Sequence, residues 1–148
     1  MLRLASLTLA LFAVLAATPA AFAQSEEEVS ASIESIQGDS EGFFELFGLM
    51  QDAMMFGDPT TIAANVAYPI TIKANGEVYD VLAEQDMIDN FDTLVSAEAQ
   101  EAIRTQDVAD LIVTSEGVGF GDGKVWVSNI CDDDSCSQTH WGIIAINN

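Results

Sequence analysis

The sequence predicts an α+β domain in which helices cover one face of an antiparallel sheet, and three features carry that prediction. Apolar residues alternate on both sides of Asp122-Gly123, a pair that suits a tight hairpin because both central positions of a type I′ turn need positive φ. Asn75-Gly76 repeats the signal between two further alternating runs. Upstream, Phe43, Leu46, Phe47, Met50, Ala53 and Met54 recur at i, i+3, i+4, i+7 spacing, the mark of a helix with one apolar side.

The chain has 148 residues, 49% of them hydrophobic, which suffices for one domain with a real core. Residues 1–23 are expected to lie outside it as a signal peptide. Arg3 gives a short positive start, 4–17 is an apolar run, and Ala21-Phe22-Ala23 has the small residues of a cleavage site. The run is too short to span a bilayer, and no cysteine follows the cleavage site to take a lipid anchor. The product is expected to be exported, periplasmic or secreted.

Formal net charge is −20, and beyond the leader only Lys73, Arg104 and Lys124 are basic. Such a surface repels phosphate backbones and anionic lipid, which argues against nucleic-acid binding and membrane-surface roles. It leaves solubility, as in a saline habitat, or a cationic partner. Two cysteines in an exported chain imply one disulfide, Cys131–Cys136, rather than a metal site.

Residues 24–38 are acidic and short of large apolar residues, although Val29, Ile33 and Ile36 keep helical spacing, so the segment reads either as a leader or as a frayed helix, peripheral to the domain in both cases. The domain proper is expected over 39–148. Asp39 or Ser40 supplies an N-cap for the long helix, which ends near Gly57. Asp58-Pro59 opens a short second helix, with Asp as cap and Pro at the first helical position, and Tyr68-Pro69 closes it. A hairpin follows in which Ile72 faces Tyr79, Ile70 faces Val81, Lys73 faces Val78 and Thr71 faces Asp80. Residues 84–94 read as one helix burying Met87, Ile88, Phe91 and Leu94. Ser96 caps another helix to about Arg104, burying Ala99 and Ile103, and 108–114 lead back into sheet.

A three-stranded meander completes the chain. A two-residue turn at Asp122-Gly123 pairs Phe120 with Val125, Gly119 with Trp126 and Val118 with Val127. If Cys131 sits opposite Cys136, then Val127 faces His140, Trp126 faces Trp141 and Val125 faces Gly142. Val118, Phe120, Val125, Val127, His140, Gly142, Ile144 and Ile146 would then share the inner face. Trp126, Trp141, Ile143 and Ala145 would share the outer one. A one-residue bulge would exchange the two sets beyond it.

Val66-Ala67-Tyr68-Pro69-Ile70, Phe91-Asp92-Thr93-Leu94 and the run from Gly117 to Trp126, in this order of elements, resemble the nuclear transport factor 2-like superfamily, and more closely its exported bacterial members of unknown role. The resemblance implies a strongly bent antiparallel sheet packed on N-terminal and middle helices, in the cystatin-like cone arrangement. It also implies a cone-shaped pocket and, in many members, dimerisation through the sheet. It implies no particular chemistry, because function on a shared fold belongs to the site.

On that basis Phe43, Phe47, Met50, Tyr68, Phe120, Val125, Val127 and His140 are the expected pocket lining, and a small apolar molecule the expected ligand. Large apolar residues on a helix face are more often plain core than cavity wall. His140, the one histidine, is the weak catalytic candidate, a general acid or base if a pocket carboxylate such as Asp80, Asp86 or Asp110 lies beside it. Asp132-Asp133-Asp134 offers hard oxygens to calcium but lacks the glycine and distal glutamate of an EF-hand, so a solvated hairpin tip is preferred. No zinc spacing, phosphate-cradling loop or nucleophile elbow is present, and no cofactor or metal is expected. The leading reading is therefore an exported binding or interaction domain with an apolar pocket. The alternative is a small lyase or isomerase using His140. A homodimer through the Trp126/Trp141 strip is expected, with 25–38 folding over that strip in a monomer as the competing arrangement.

Overall fold

The computed structural model describes residues 24–148, so the expected signal peptide lies outside the described residues. Within them, six α-helices precede and flank two antiparallel sheets. In chain order the elements are α1 (Glu26–Ile36), α2 (Ser40–Phe56), α3 (Pro59–Ala64), β1 (Ile70–Ala74), β2 (Glu77–Val81), α4 (Glu84–Asp89), α5 (Phe91–Leu94), α6 (Ala97–Thr105), β3 (Ile112–Thr114), β4 (Gly117–Phe120), β5 (Val125–Cys131) and β6 (Thr139–Ile146). The large sheet runs β3-β4-β5-β6, and the small one is the β1-β2 hairpin. Single parallel bridges, Val66 to Ile143 and Lys73 to Asn147, tie the free side of β6 to the residues before β1 and to β1 itself.

The helix ends follow their capping residues. The Asp39 carboxylate accepts from the Gly42 N–H and Gly57 closes α2 in the left-handed region, while Asp58 accepts from the N–H groups of Thr60 and Thr61 with Pro59 inside the first turn of α3. Ser96 caps α6, as its sequence suggests. In place of a leader or frayed helix, the acidic segment 24–38 holds α1, well formed over Glu26–Ile36 with a reciprocal Ser25/Glu28 capping box. Its Val29 and Ile33 are fully buried and belong to the core. The helix expected over 84–94 is broken at Asn90 into α4 and α5, although Met87, Phe91 and Leu94 are buried as anticipated.

Both Gly-turn hairpins have the register expected of them. Ile70 lies opposite Val81 and Ile72 opposite Tyr79, with the Thr71 hydroxyl donating to Asp80 at 2.9 Å. Val118, Gly119 and Phe120 lie opposite Val127, Trp126 and Val125. Gly119 has a steric reason to be glycine, since a Cβ there would come within 3.1 Å of the Trp126 ring.

The β5–β6 register differs. Cys131 lies opposite Thr139, not Cys136, and the ladder continues Ile130 to His140, Asn129 to Trp141, Ser128 to Gly142 and Val127 to Ile143. Relative to the expected pairing this is a slip of three residues. An odd slip exchanges faces, so Trp141 and Ile143 turn inward while His140 and Ile144 turn outward. Ile144 is then the extra residue of a bulge, after which Trp126 pairs with Ala145 and Val125 with Ile146. The bulge restores the original sense, and Ile146 is buried as expected.

The core lies between α2 and the inner face of the large sheet. Phe43 is its centre, with ring centroids 5.2 Å from Trp141, 5.9 Å from Phe47 and 6.3 Å from Phe120, while Phe47 stacks on Phe120 at 5.6 Å. The Trp141 indole N–H donates at 2.9 Å to the backbone carbonyl of Asp39, the residue that caps α2. Replacing Phe43 with Ala removes a wholly buried ring and should lower unfolding free energy by about 3–5 kcal/mol, read from urea denaturation. Near-wild-type stability would contradict this placement of α2.

Candidate functional site

Six of the residues expected to line a pocket, Phe43, Phe47, Met50, Phe120, Val125 and Val127, are core residues at most 8% exposed, packed against one another rather than around a space. Tyr68 is partly buried and donates its hydroxyl to the Ala63 carbonyl at 2.8 Å. Burial, with Glu84 and Asp86 nearby, pushes its phenol up to about 12, so it stays neutral at any physiological pH. His140 is not part of this group: the slipped register puts it on the outer face.

The clefts of the surface are lined by other side chains. One of about 350 Å³ lies where α2 and α3 meet the α4–α5 break, between Met54, Gly57 and Pro59 on one side and Ile88, Asn90, Phe91 and Gln100 on the other. Asp80 and Asp86 line a second, with Tyr79, Leu82 and Asn90. Asp110 borders a third beside Gly121 and Asp122. The three carboxylates considered as partners for His140 therefore lie in two separate clefts, neither of which His140 lines. His140 instead borders a shallow depression with Trp141, Asp39, Glu45, Leu49 and Asn65.

The residues with the densest polar network are at the tip of the β5–β6 hairpin. Cys131 and Cys136 are bonded, with Cα atoms 4.7 Å apart. Cys136 is inside the loop with φ 56°. Asp133 organises the turn: one carboxylate oxygen accepts from the Ser135 N–H (2.9 Å), the Ser135 hydroxyl (2.6 Å) and the Ser137 N–H (3.0 Å), and the other from the Ser137 hydroxyl (2.5 Å) and the Gln138 N–H (3.1 Å). The two serine hydroxyls, Ser135 first, hold the carboxyl well below the usual aspartate range. His140 Nδ1 lies 2.5 Å from Asp132 Oδ1, with both side chains about half exposed, at 54% and 43%.

This arrangement has clear chemical limits. Asp133 already accepts five hydrogen bonds from its own loop, so a calcium ion would have to displace them. Among the described residues no cluster of three or more potential metal-ligating side chains occurs. The His140–Asp132 pair has proton-transfer geometry but no enclosing wall. The outer-face strip expected to join two copies does not form either: Trp126 pairs with Ala145 and covers Gly119, while Trp141 is on the opposite face under Phe43. Among the described residues no helix is long and apolar enough to cross a membrane.

Two features escape a reading of the sequence although their signals are present in it. The hairpin tip presents itself as a run of three aspartates, whereas its network depends on the alternation Asp133, Ser135, Ser137, in which every second residue returns a donor to the same carboxylate. The second is a further apolar stripe on α2, Leu49 and Phe56, seven residues apart and therefore on one side of the helix, at 52% and 80% exposure. No protein-family model, curated protein or solved structure matches the chain.

The Asp133 network gives a pH prediction. A lowered carboxyl pKa stabilises the folded loop above the ordinary aspartate value of 3.8, and that contribution is lost only as pH falls through the lower folded value. Carbon-13 NMR of the side-chain carboxyls should find Asp133 still ionised well below that value. A midpoint near 3.8 would contradict the network.

Proposed function

We propose that the protein is a non-catalytic interaction domain of nuclear transport factor 2-like architecture that works outside the cytoplasm. The order of its elements supports the architecture: a long helix, an Asp-Pro helix, an Asn-Gly hairpin, further helices and a closing meander. The Cys131–Cys136 bond supports an oxidising compartment, as does the leader-like sequence before residue 24.

One observation carries the interaction reading over a small-molecule reading. The side chains that would wall a ligand pocket fill it themselves, with Phe43 in ring contact with Phe47, Phe120 and Trp141, and Phe47 stacked on Phe120. What is left for recognition is the surface, which is strongly acidic and carries exposed large apolar residues on α2. Catalysis by His140 has the Asp132 contact in its favour. Against it stands the exposure of both groups, since acid–base catalysis needs a substrate held within hydrogen-bond reach in a defined pose.

Native mass spectrometry of the protein purified from its own source tests this reading. The expected spectrum contains the oxidised polypeptide without a small-molecule adduct. A stoichiometric organic adduct that survives desalting and is released on unfolding would overturn it.

A further inference from the structure

We propose that the exposed side of α2, together with the start of α3, is a docking groove for a basic amphipathic helix of a partner protein. The proposal rests on the interaction-domain reading above and names the surface and the class of partner.

Two clefts lie end to end along α2 and share Leu49. The one toward the C-terminal end of α2 has Ala53 as its floor and Leu49 and Phe56 as walls. Phe56 is 80% exposed and, like the exposed Leu49 and Met55 of the same helix, takes no part in the domain's own core. Together the two clefts follow α2 from Gly42 to Phe56, about 21 Å or roughly four turns, the length over which a second helix could lie beside it. Grooves of this kind take amphipathic helices whose apolar anchors recur at i, i+3, i+4 and i+7, and the cleft between Leu49, Ala53 and Phe56 offers such anchors an apolar seat.

Charge selects the partner. Glu45, Asp52 and Asp58 rim the two clefts, and among the described residues no Lys or Arg lines either of them. Asp58 is fixed in place by the Thr61 hydroxyl at 2.6 Å, so its charge is held at the groove edge. A second copy of this chain would bring the same acidic rim against its like, and the field of a chain with formal charge −20 repels anionic lipid. A helix with leucines on one side and lysines or arginines on the other matches both the floor and the rim, and the acidic field would also speed its encounter.

The test uses a synthetic Leu/Lys peptide of about 18 residues with its leucines at helical spacing, long enough to cover the stripe. The control is the same composition scrambled so that no apolar face forms. Calorimetry should show saturable one-to-one binding of the amphipathic peptide, weakened by added salt and absent for the scramble. Leu49→Ser/Phe56→Ser should weaken it roughly tenfold or more, since aromatic anchors dominate such interfaces. Its melting temperature should stay near wild type, because both side chains are largely exposed. Glu45→Gln/Asp52→Asn, which leaves the apolar floor intact, should reduce both affinity and salt dependence. Equal binding of the two peptides, or affinity unchanged in both variants, would overturn the groove assignment. So would a dimer of the wild type, seen in sedimentation, that Leu49→Ser/Phe56→Ser dissolves. None of these results bears on small-molecule retention, which native mass spectrometry decides separately.

Discussion

The contact between Phe43 and Trp141 is the constraint on which the rest of the structure depends. Phe43 belongs to the first full turn of α2 and Trp141 to the first half of β6, so their edge-to-face contact fixes the long helix against the sheet. The indole N–H then reaches the carbonyl of Asp39, whose own carboxylate caps the helix. One tryptophan thus joins the start of α2, the inner face of the sheet and the aromatic stack that continues through Phe47 and Phe120. It can do so only in the β5–β6 register that turns it inward. With Trp141 inside, the space between helix and sheet is filled by aromatic rings, and the domain has a packed centre in place of a chamber.

How far the sequence discloses this depends on whether a contact is local. The Asn75-Gly76 and Asp122-Gly123 hairpins follow from turn chemistry within a few residues, and their registers can be read directly. The caps of α2, α3 and α6 are legible for the same reason. The β5–β6 register is not, because no turn dipeptide specifies that loop. A direct cross-strand pairing of Cys131 with Cys136 is a natural reading of their close spacing, but the Asp133 network folds Ser135, Ser137 and Gln138 into the loop and moves the first ladder pair out to Thr139. The bulge at Ile144 is likewise invisible in the alternation, since residues 143–146 are apolar throughout. The burial of Val29 and Ile33 also depends on distant contacts: the Gln37 side chain after α1 donates to the Thr114 carbonyl of β3, and the Asn129 side chain of β5 donates to the Gln37 carbonyl.

The same distinction separates the candidate sites. The aromatic and methionine stripe of α2 is visible at once, but spacing alone does not say whether such a stripe lines a cavity or fills one; packing decides that. His140 stands out in the sequence as the one histidine, at an inner-face position that an odd register slip removes. The surface features that remain, an acidic rim beside Leu49 and Phe56, are hard to see there because they belong to the second side of a helix already explained by its first. Acidic composition, a filled interior and an exposed aromatic at the end of a core helix are all consistent with recognition at the surface.

Tryptophan fluorescence tests the central contact most directly. Trp126→Phe leaves Trp141 as the one tryptophan in the chain. Buried at 6% exposure against Phe43, it should emit in the blue range and resist acrylamide quenching until the protein unfolds. Red-shifted emission with free access to acrylamide in the folded variant would put Trp141 on the outer face. The register, the aromatic core and the filled interior would all fall with that result.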